Sequence, residues 1–273
     1  MIPVVATIAG SDPSGGAGIQ ADLKTFSALG AYGCAVLTAL TAQSTRGVTG
    51  VHVVPPAFVA QQVRTLVADV RLDAVKIGML ATAEIAHVVG ELLTDVITAP
   101  VVLDPVMIAT SGDRLLDDEA IDAVRALVPL AALITPNLHE AAALLGEPVA
   151  SDLDAARAQA LGLRALGAPR VLVKGGHGQG NTSVDVFADA DGVHELSAPR
   201  IATRNTHGTG CSLSSAIAAL VPQRSSWPEA VADAKTWLTN AIGAADELRI
   251  GSGSGPVHHF HALWRDQPVL GRD

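Results

Sequence analysis

Short runs of β-branched and aliphatic residues recur along this chain, each followed by a longer Ala- and Leu-rich stretch with helical spacing. The runs are Val4 to Ile8, Ala35 to Ala42, Ala74 to Ile77, Val101 to Leu103, Leu133 to Thr135 and Val171 to Val173. The first helix is expected from about Ile19 to Ala28. Strands separated by helices cannot pair as tight hairpins, whereas parallel neighbours need a crossover long enough to hold a helix. The expected fold class is therefore α/β: a three-layer sandwich with a central, mostly parallel sheet covered by helices on both faces. No low-complexity linker, charge block or repeat divides the chain, and residues 1–273 are read as one domain. With 49% hydrophobic residues that length supplies one large core.

The same composition removes several function classes. A net charge of -9 leaves no basic stripe to neutralise a nucleic-acid backbone, and 3% aromatic residues make a poor stacking platform for single strands. Gly, Asp, Arg or Thr interrupts every apolar run before the roughly 18 residues a membrane span requires. The run Met1 to Ala9 has no basic region before it and no cleavage pattern after it, so it reads as a strand, and the expected compartment is the cytoplasm. Cys34 and Cys211 cannot form a disulfide framework. Cys34 is read as a core residue.

In a parallel sheet ligands collect at the carboxyl ends of the strands. There this sequence turns polar or glycine-rich, at Gly10-Ser11-Asp12, Gln43, Gly78-Met79, Asp104, Asn137 and Lys174-Gly175-Gly176. The stretch Ala9 to Gly18 lets backbone N–H groups approach a ligand at the positive end of a helix dipole, although a plain strand-to-helix turn uses the same residues. It lacks the Gly-Lys-Ser/Thr ending of a P-loop and the register of a dinucleotide fingerprint. A second turn, Gly208-Thr209-Gly210, opens an apolar helix from Leu213 to Val221 and aims several free N–H groups at one point. That geometry suits the negative charge of phosphoryl transfer. Cys211 in the first helical turn is expected to have a lowered pKa because the dipole favours thiolate, its alternative being a small buried helix residue.

Asp104, Asn137, Glu140 and Lys174 form a third group: two acids suited to a hydrated Mg²⁺ ion and a lysine that offsets phosphate charge. Taken one at a time, Glu140 suits a helix cap and Asp104 a turn before Pro105. His258, His259 and His261 lack an accompanying Cys or acid at ligand spacing and are read as a packed C-terminal segment, and the helix from Trp227 to Leu248 as scaffold.

These residues carry a family resemblance. The chain resembles the hydroxymethylpyrimidine and phosphomethylpyrimidine kinases of thiamine biosynthesis, a branch of the ribokinase superfamily, from Ile8 to about Trp264. The matching stretches are 9–22, Thr41 to Thr45, Lys76 to Leu80, Leu103 to Met107, Thr135 to Glu140, Val173 to His177, Gly208 to Cys211 and Gly255 to His261. The resemblance implies a ribokinase-like fold, ATP and Mg²⁺ as cofactors, a small pyrimidine substrate and a homodimer. It implies that Gln43 binds the aminopyrimidine edge, with Gly10, Asp22, Met79 and Val106 completing the pocket. Gly208, Thr209 and Gly210 would form the anion hole, Asp104 and Glu140 would organise Mg²⁺, and Lys174 with Asn137 would face the ATP phosphates. The wider superfamily places an Asp after its Gly-x-Gly turn as general base, where this chain has Cys211. The expected reaction is transfer of the ATP γ-phosphoryl group to the hydroxymethyl oxygen, then a second transfer to the monophosphate. The alternatives are a pyridoxal or pyridoxine kinase, and a ligand-binding protein on the same scaffold.

Overall fold

The structure, a computed structural model, describes residues 1–107, 118–176 and 180–264; His177 of the quoted motifs lies outside them. Among the described residues nine strands form one sheet: β1 (Val4–Ser11), β2 (Tyr32–Ser44), β3 (Gly47–Val53), β4 (Ala74–Ile77), β5 (Val101–Leu103), β6 (Leu133–Ile134), β7 (Val171–Val173), β8 (Thr182–Asp189) and β9 (Gly192–Pro199). Their order is β3-β2-β1-β4-β5-β6-β7-β8-β9. The pairings from β2 across to β7 are parallel. The edges are antiparallel: β3 on one side, β8 and β9 on the other.

The helices are α1 (Gly18–Ala28), α2 (Pro56–Val67), α3 (Ala83–Asp95), α4 (Asp118–Leu127), α5 (Leu138–Leu145), α6 (Leu153–Ala165), α7 (Thr209–Leu220) and α8 (Trp227–Gly243). Alternate residues of each strand point to opposite faces, and two cores follow from that. Val101 and Leu103 join Val75, Ile77 and Ile134 against α2 to α6, while Val102 joins Val5, Leu133 and Leu172 against α1, α7 and α8. Both faces of the central strands are therefore buried, which is why those runs read as continuously apolar. Each fully buried Ile or Leu contributes about 1.5 to 3 kcal/mol.

The six sequence runs are all strands of the sheet, while β3, β8 and β9 fall outside them. β3 and β9 are largely exposed and lack the uninterrupted apolar pattern of a buried strand. The usable signal was Asp191-Gly192, which ends the two-residue hairpin connection Ala190-Asp191 and opens β9, Gly192 having φ +130°. The helix expected to reach Leu248 ends at Gly243, and residues 245–247 continue as a single 3-10 turn. Cys34 packs partly buried against the first core.

His258, His259 and His261 are all buried, the last two with rings against Trp237. His259 Nε2 lies 3.0 Å from Ser212 Oγ on α7. Burial, followed by the positive charges of Lys24, His258 and His261, pushes the His259 pKa down to about 3. Between about pH 6.5 and 3 the unfolded chain thus binds a proton that the folded one refuses, so stability falls as pH drops through that window. His259→Gln, which keeps a partner for Ser212, should lose less stability than the parent between pH 7.5 and 5.5. Urea unfolding at both values should show the difference at about 1 kcal/mol, and equal losses would refute the assignment.

Candidate active site

The carboxyl ends of the parallel strands open into one cavity of about 630 Å³. Its first wall is the turn after β1, organised by Asp12. That carboxylate accepts from the backbone N–H groups of Ser14 (2.8 Å), Gly16 (3.2 Å) and Ala17 (2.8 Å) and from Ser14 Oγ (2.9 Å). Its Oδ2 also lies 2.8 Å from His207 Nε2. Burial alone raises the Asp12 pKa, but the hydrogen bonds from His207, Ser14 and Ala17 outweigh it and hold the acid down at about 2. Asp12 therefore closes the glycine-rich turn on itself and ties it to the residue preceding Gly208.

The second wall is the start of α7. Gly208 is its N-cap with φ +76°, and a Cβ there would fall 1.8 Å from the Gly16 carbonyl oxygen. Only glycine allows the two turns to approach this closely. No described side chain caps the helix; the Thr209 N–H reaches the Thr206 carbonyl oxygen at a long 3.3 Å, and the first turn stands with its N–H groups at the positive end of the dipole. Gly210 brings this turn against the third group: a Cβ there would lie 3.2 Å from Lys174 Nζ and 3.7 Å from Asp104 Oδ2.

Lys174 Nζ donates to Asp104 Oδ1 at 2.8 Å and lies 3.8 Å from Glu140 Oε2. Asp104 also accepts from Thr135 Oγ1 at 3.3 Å and Ser214 Oγ at 3.2 Å. Glu140 is at the same time the capping residue of α5: its carboxylate accepts from Asn137 N–H at 2.7 Å, and Asn137 Oδ1 accepts from Glu140 N–H at 2.9 Å. Burial, only partly offset by Lys174, raises the Glu140 pKa to about 7. Desolvation works against the Lys174 charge, yet Asp104 and Glu140 together raise its pKa above the usual lysine value.

At the opposite end of the cavity Gln43 Oε1 accepts from Thr41 Oγ1 at 3.1 Å, while its Nε2 is a long 3.5 Å from His207 Nε2. His207 Nε2 already faces Asp12, which leaves the Gln43 amide free to pair with a ligand. Gly10 lets Met79 lie across β1, since a Cβ there would sit 2.5 Å from the Met79 methyl.

Gly10, Gln43, Met79, Asp104, Val106, Asn137, Glu140, Lys174, Gly208, Thr209, Gly210 and Cys211 all line this one cavity. Asp22 does not. It is fully buried beneath the site, ion-paired to Lys76 at 2.9 Å, and so is removed from the pocket wall where the resemblance had placed it. Cys211 also departs from expectation. It keeps part of its surface open to the cavity, but burial pushes its thiol up to about 11. Desolvation, with the negative charges of Asp22 and Asp104, outweighs the Lys76 ammonium and the hydrogen bond from the Gly18 backbone.

Sequence reasoning passed over several polar groups. Lys76 and Asp12 each sat inside a quoted motif and His207 directly before one, and each reaches the site through a partner distant in sequence. Asp185 on β8 and Lys235 on α8 pair at 2.6 Å in the cavity wall, and Asp185 also accepts the Gly175 N–H at 2.9 Å. Nothing local marked this pair, because β8 itself went unrecognised. Among the described residues no trio of His, Cys, Asp or Glu is placed to hold a metal ion.

Known proteins give this arrangement a context. Residues 12–258 match the family model described as phosphomethylpyrimidine kinase. The chain is 55% identical to the hydroxymethylpyrimidine/phosphomethylpyrimidine kinase of Salmonella typhimurium, covering 94% of this chain and 97% of that protein. It is 51% identical to the protein of the same name from Rhizobium meliloti, covering 97% and 100%. Among solved structures, an ADP complex of Bacillus subtilis pyridoxal kinase superposes with a TM-score of 0.88 at 34% identity, over 96% of this chain and 99% of that one. A phosphomethylpyrimidine kinase from Clostridium difficile gives a TM-score of 0.77 at 39% identity, over 89% and 100%. The expected ribokinase-like α/β sandwich is thus the observed fold, and the chain belongs to the phosphomethylpyrimidine kinase family.

Proposed function

We propose that this protein transfers the γ-phosphoryl group of ATP to the hydroxymethyl oxygen of 4-amino-5-hydroxymethyl-2-methylpyrimidine, and then phosphorylates the monophosphate to the diphosphate used in thiamine assembly. The observation that carries this reading is that the free amide of Gln43, the uncapped N–H groups of residues 208–210 and the Lys174 ammonium all face one cavity. Gln43 pairs with the aminopyrimidine edge, with Met79, Val106 and Gly10 against the ring. The amides of Gly208, Thr209 and Gly210 receive the oxygens of the transferring group, and Lys174 and Asn137 meet the nucleotide phosphates.

Asp104 and Glu140 both face the cavity and already share Lys174, which suits a Mg²⁺ ion held through its waters better than a closed protein cage. When bound, that ion neutralises phosphate charge. Cys211, protonated near neutrality, is a poor general base in the resting enzyme. In a loose transition state the alcohol proton leaves late, so orientation and charge stabilisation carry most of the rate.

The chain acts as one domain, and in the cytoplasm; no helix among its described residues is long and apolar enough to cross a membrane. The exposed apolar residues Tyr32, Leu40, Val51 and Val53 on β2 and β3 support a homodimer, which sedimentation would test. Gln43→Ala should lower kcat/KM for the pyrimidine about 100-fold while leaving KM for ATP within about threefold, because an unpaired polar edge of the substrate is stranded in the pocket. Coupled ADP-release assays measure both, and unchanged pyrimidine turnover would remove Gln43 from the pocket. Pyridoxal is the second substrate to include, since the Bacillus protein that superposes so closely is a pyridoxal kinase.

A further inference from the structure

One buried carboxylate takes no part in the chemistry above although it lies directly beneath it. Asp22, on α1, accepts from Thr7 Oγ1 on β1 at 2.6 Å, from Lys76 Nζ on β4 at 2.9 Å to each oxygen, and from Ser215 Oγ on α7 at 2.6 Å. Asp22 and Lys76 have no exposed surface. As a means of stabilising a core this pair is a poor choice, since apolar residues of the same volume avoid the cost of desolvating two charges. What four directed hydrogen bonds supply is orientation.

α7 is the element that needs it. Its N-cap is a left-handed glycine, and no side chain holds the N–H groups of its first turn. His207 on Asp12 and the packing of Gly208 against Gly16 fix where the turn sits, while the heading of the helix that carries those groups depends also on contacts made further along. Ser215 follows Cys211 by four residues, so the two stand on one face of α7, a turn apart. Ser212 and Ser214 tie the same region to His259 and Asp104, and Ser215 ties it to Asp22.

We infer that Asp22 is a positioning residue for phosphoryl transfer: held through both oxygens by Lys76, it anchors Ser215 and thereby the direction of the amides at 208–210. This rests on reading those amides as the anion hole, and the test separates the two claims. The probes are ADP alone and ADP with Mg²⁺ and aluminium fluoride, a mimic of the transferring phosphoryl group, bound to the full chain and followed by calorimetry. Neither probe requires the alcohol substrate to be known.

Ser215→Ala is expected to bind ADP within twofold of the parent and the fluoride complex at least tenfold more weakly. Thr7→Val removes a hydrogen bond from Asp22 without touching α7 and should leave both affinities unchanged. The charge-neutral double variant Asp22→Asn with Lys76→Met should reproduce Ser215→Ala, and it decides the matter if Ser215→Ala does not fold. Parent-like preference for the fluoride complex in the Ser215→Ala or double variant overturns the role of Asp22, as does an equal loss in Thr7→Val. A parent that shows no preference for the fluoride complex over ADP instead removes the anion-hole reading, and the positioning role with it.

Discussion

Gly208→Ala is expected to reduce kcat by about 10³-fold or more, through the loss of an anion hole of which a single donor is already worth about 10² to 10³. Two effects act together. A residue with a Cβ pays about 1 to 2 kcal/mol to hold the left-handed conformation that Gly208 adopts at φ +76°. The methyl would also fall 1.8 Å from the Gly16 carbonyl oxygen, a backbone atom that cannot rotate away, so the turns at 12–18 and 206–211 must separate. Gly210→Ala is the control. Its methyl would meet the flexible tip of Lys174 at 3.2 Å and no positive φ is involved, so its melting temperature should stay closer to the parent. Steady-state kinetics at saturating ATP with thermal unfolding of both variants measure this; a Gly208→Ala enzyme with parental kcat would contradict the assigned geometry.

The second large effect is expected from Lys174→Met. In the folded protein this ammonium lies 2.8 Å from Asp104 and 3.8 Å from Glu140, and both carboxylates are almost wholly buried. Its removal leaves two like charges facing one another, so Glu140, already raised to about 7, should be pushed further toward the protonated form. Breaking a buried ion pair from one side costs about 3 to 5 kcal/mol. Losing the cation that meets the phosphates should cost a further 10²-fold or more in kcat/KM for ATP. Arginine should not restore activity, because its planar fork cannot replace a compact ammonium between two carboxylates and the Gly210 turn. Urea unfolding and ATP titration of the Met and Arg variants check both parts, and parental ATP turnover in either would exclude Lys174 from the phosphate site.

Much of this was legible in residue order. Val101-Val102-Leu103 had to be a strand buried on both sides, and Gly208-Thr209-Gly210 had to open a helix, because apolar periodicity and backbone freedom are local properties. Strand ends then pointed to Gln43, Asp104, Asn137 and Lys174, all of which line the cavity. The edges β3 and β9 escaped notice because most of their residues are exposed and so carry no apolar pattern.

What stayed hidden depends on which distant segments meet. His207 finds Asp12 across 195 positions and Ser215 finds Asp22 across 193. Neither pairing has a local signature, so Asp22 read as a pocket residue when it is the anchor beneath one. Cys211 makes the same point through electrostatics. The helix start that lowers a thiol pKa is visible in sequence, whereas the desolvation that raises it to about 11 comes from the elements packed around it. Local order along the chain therefore determined the strands, the helices and the candidate groups. Only the docking of α1, β4 and α7 decided which charges are dry, which are paired and which remain free for a ligand, since solvation and Coulomb energies depend on distance in space.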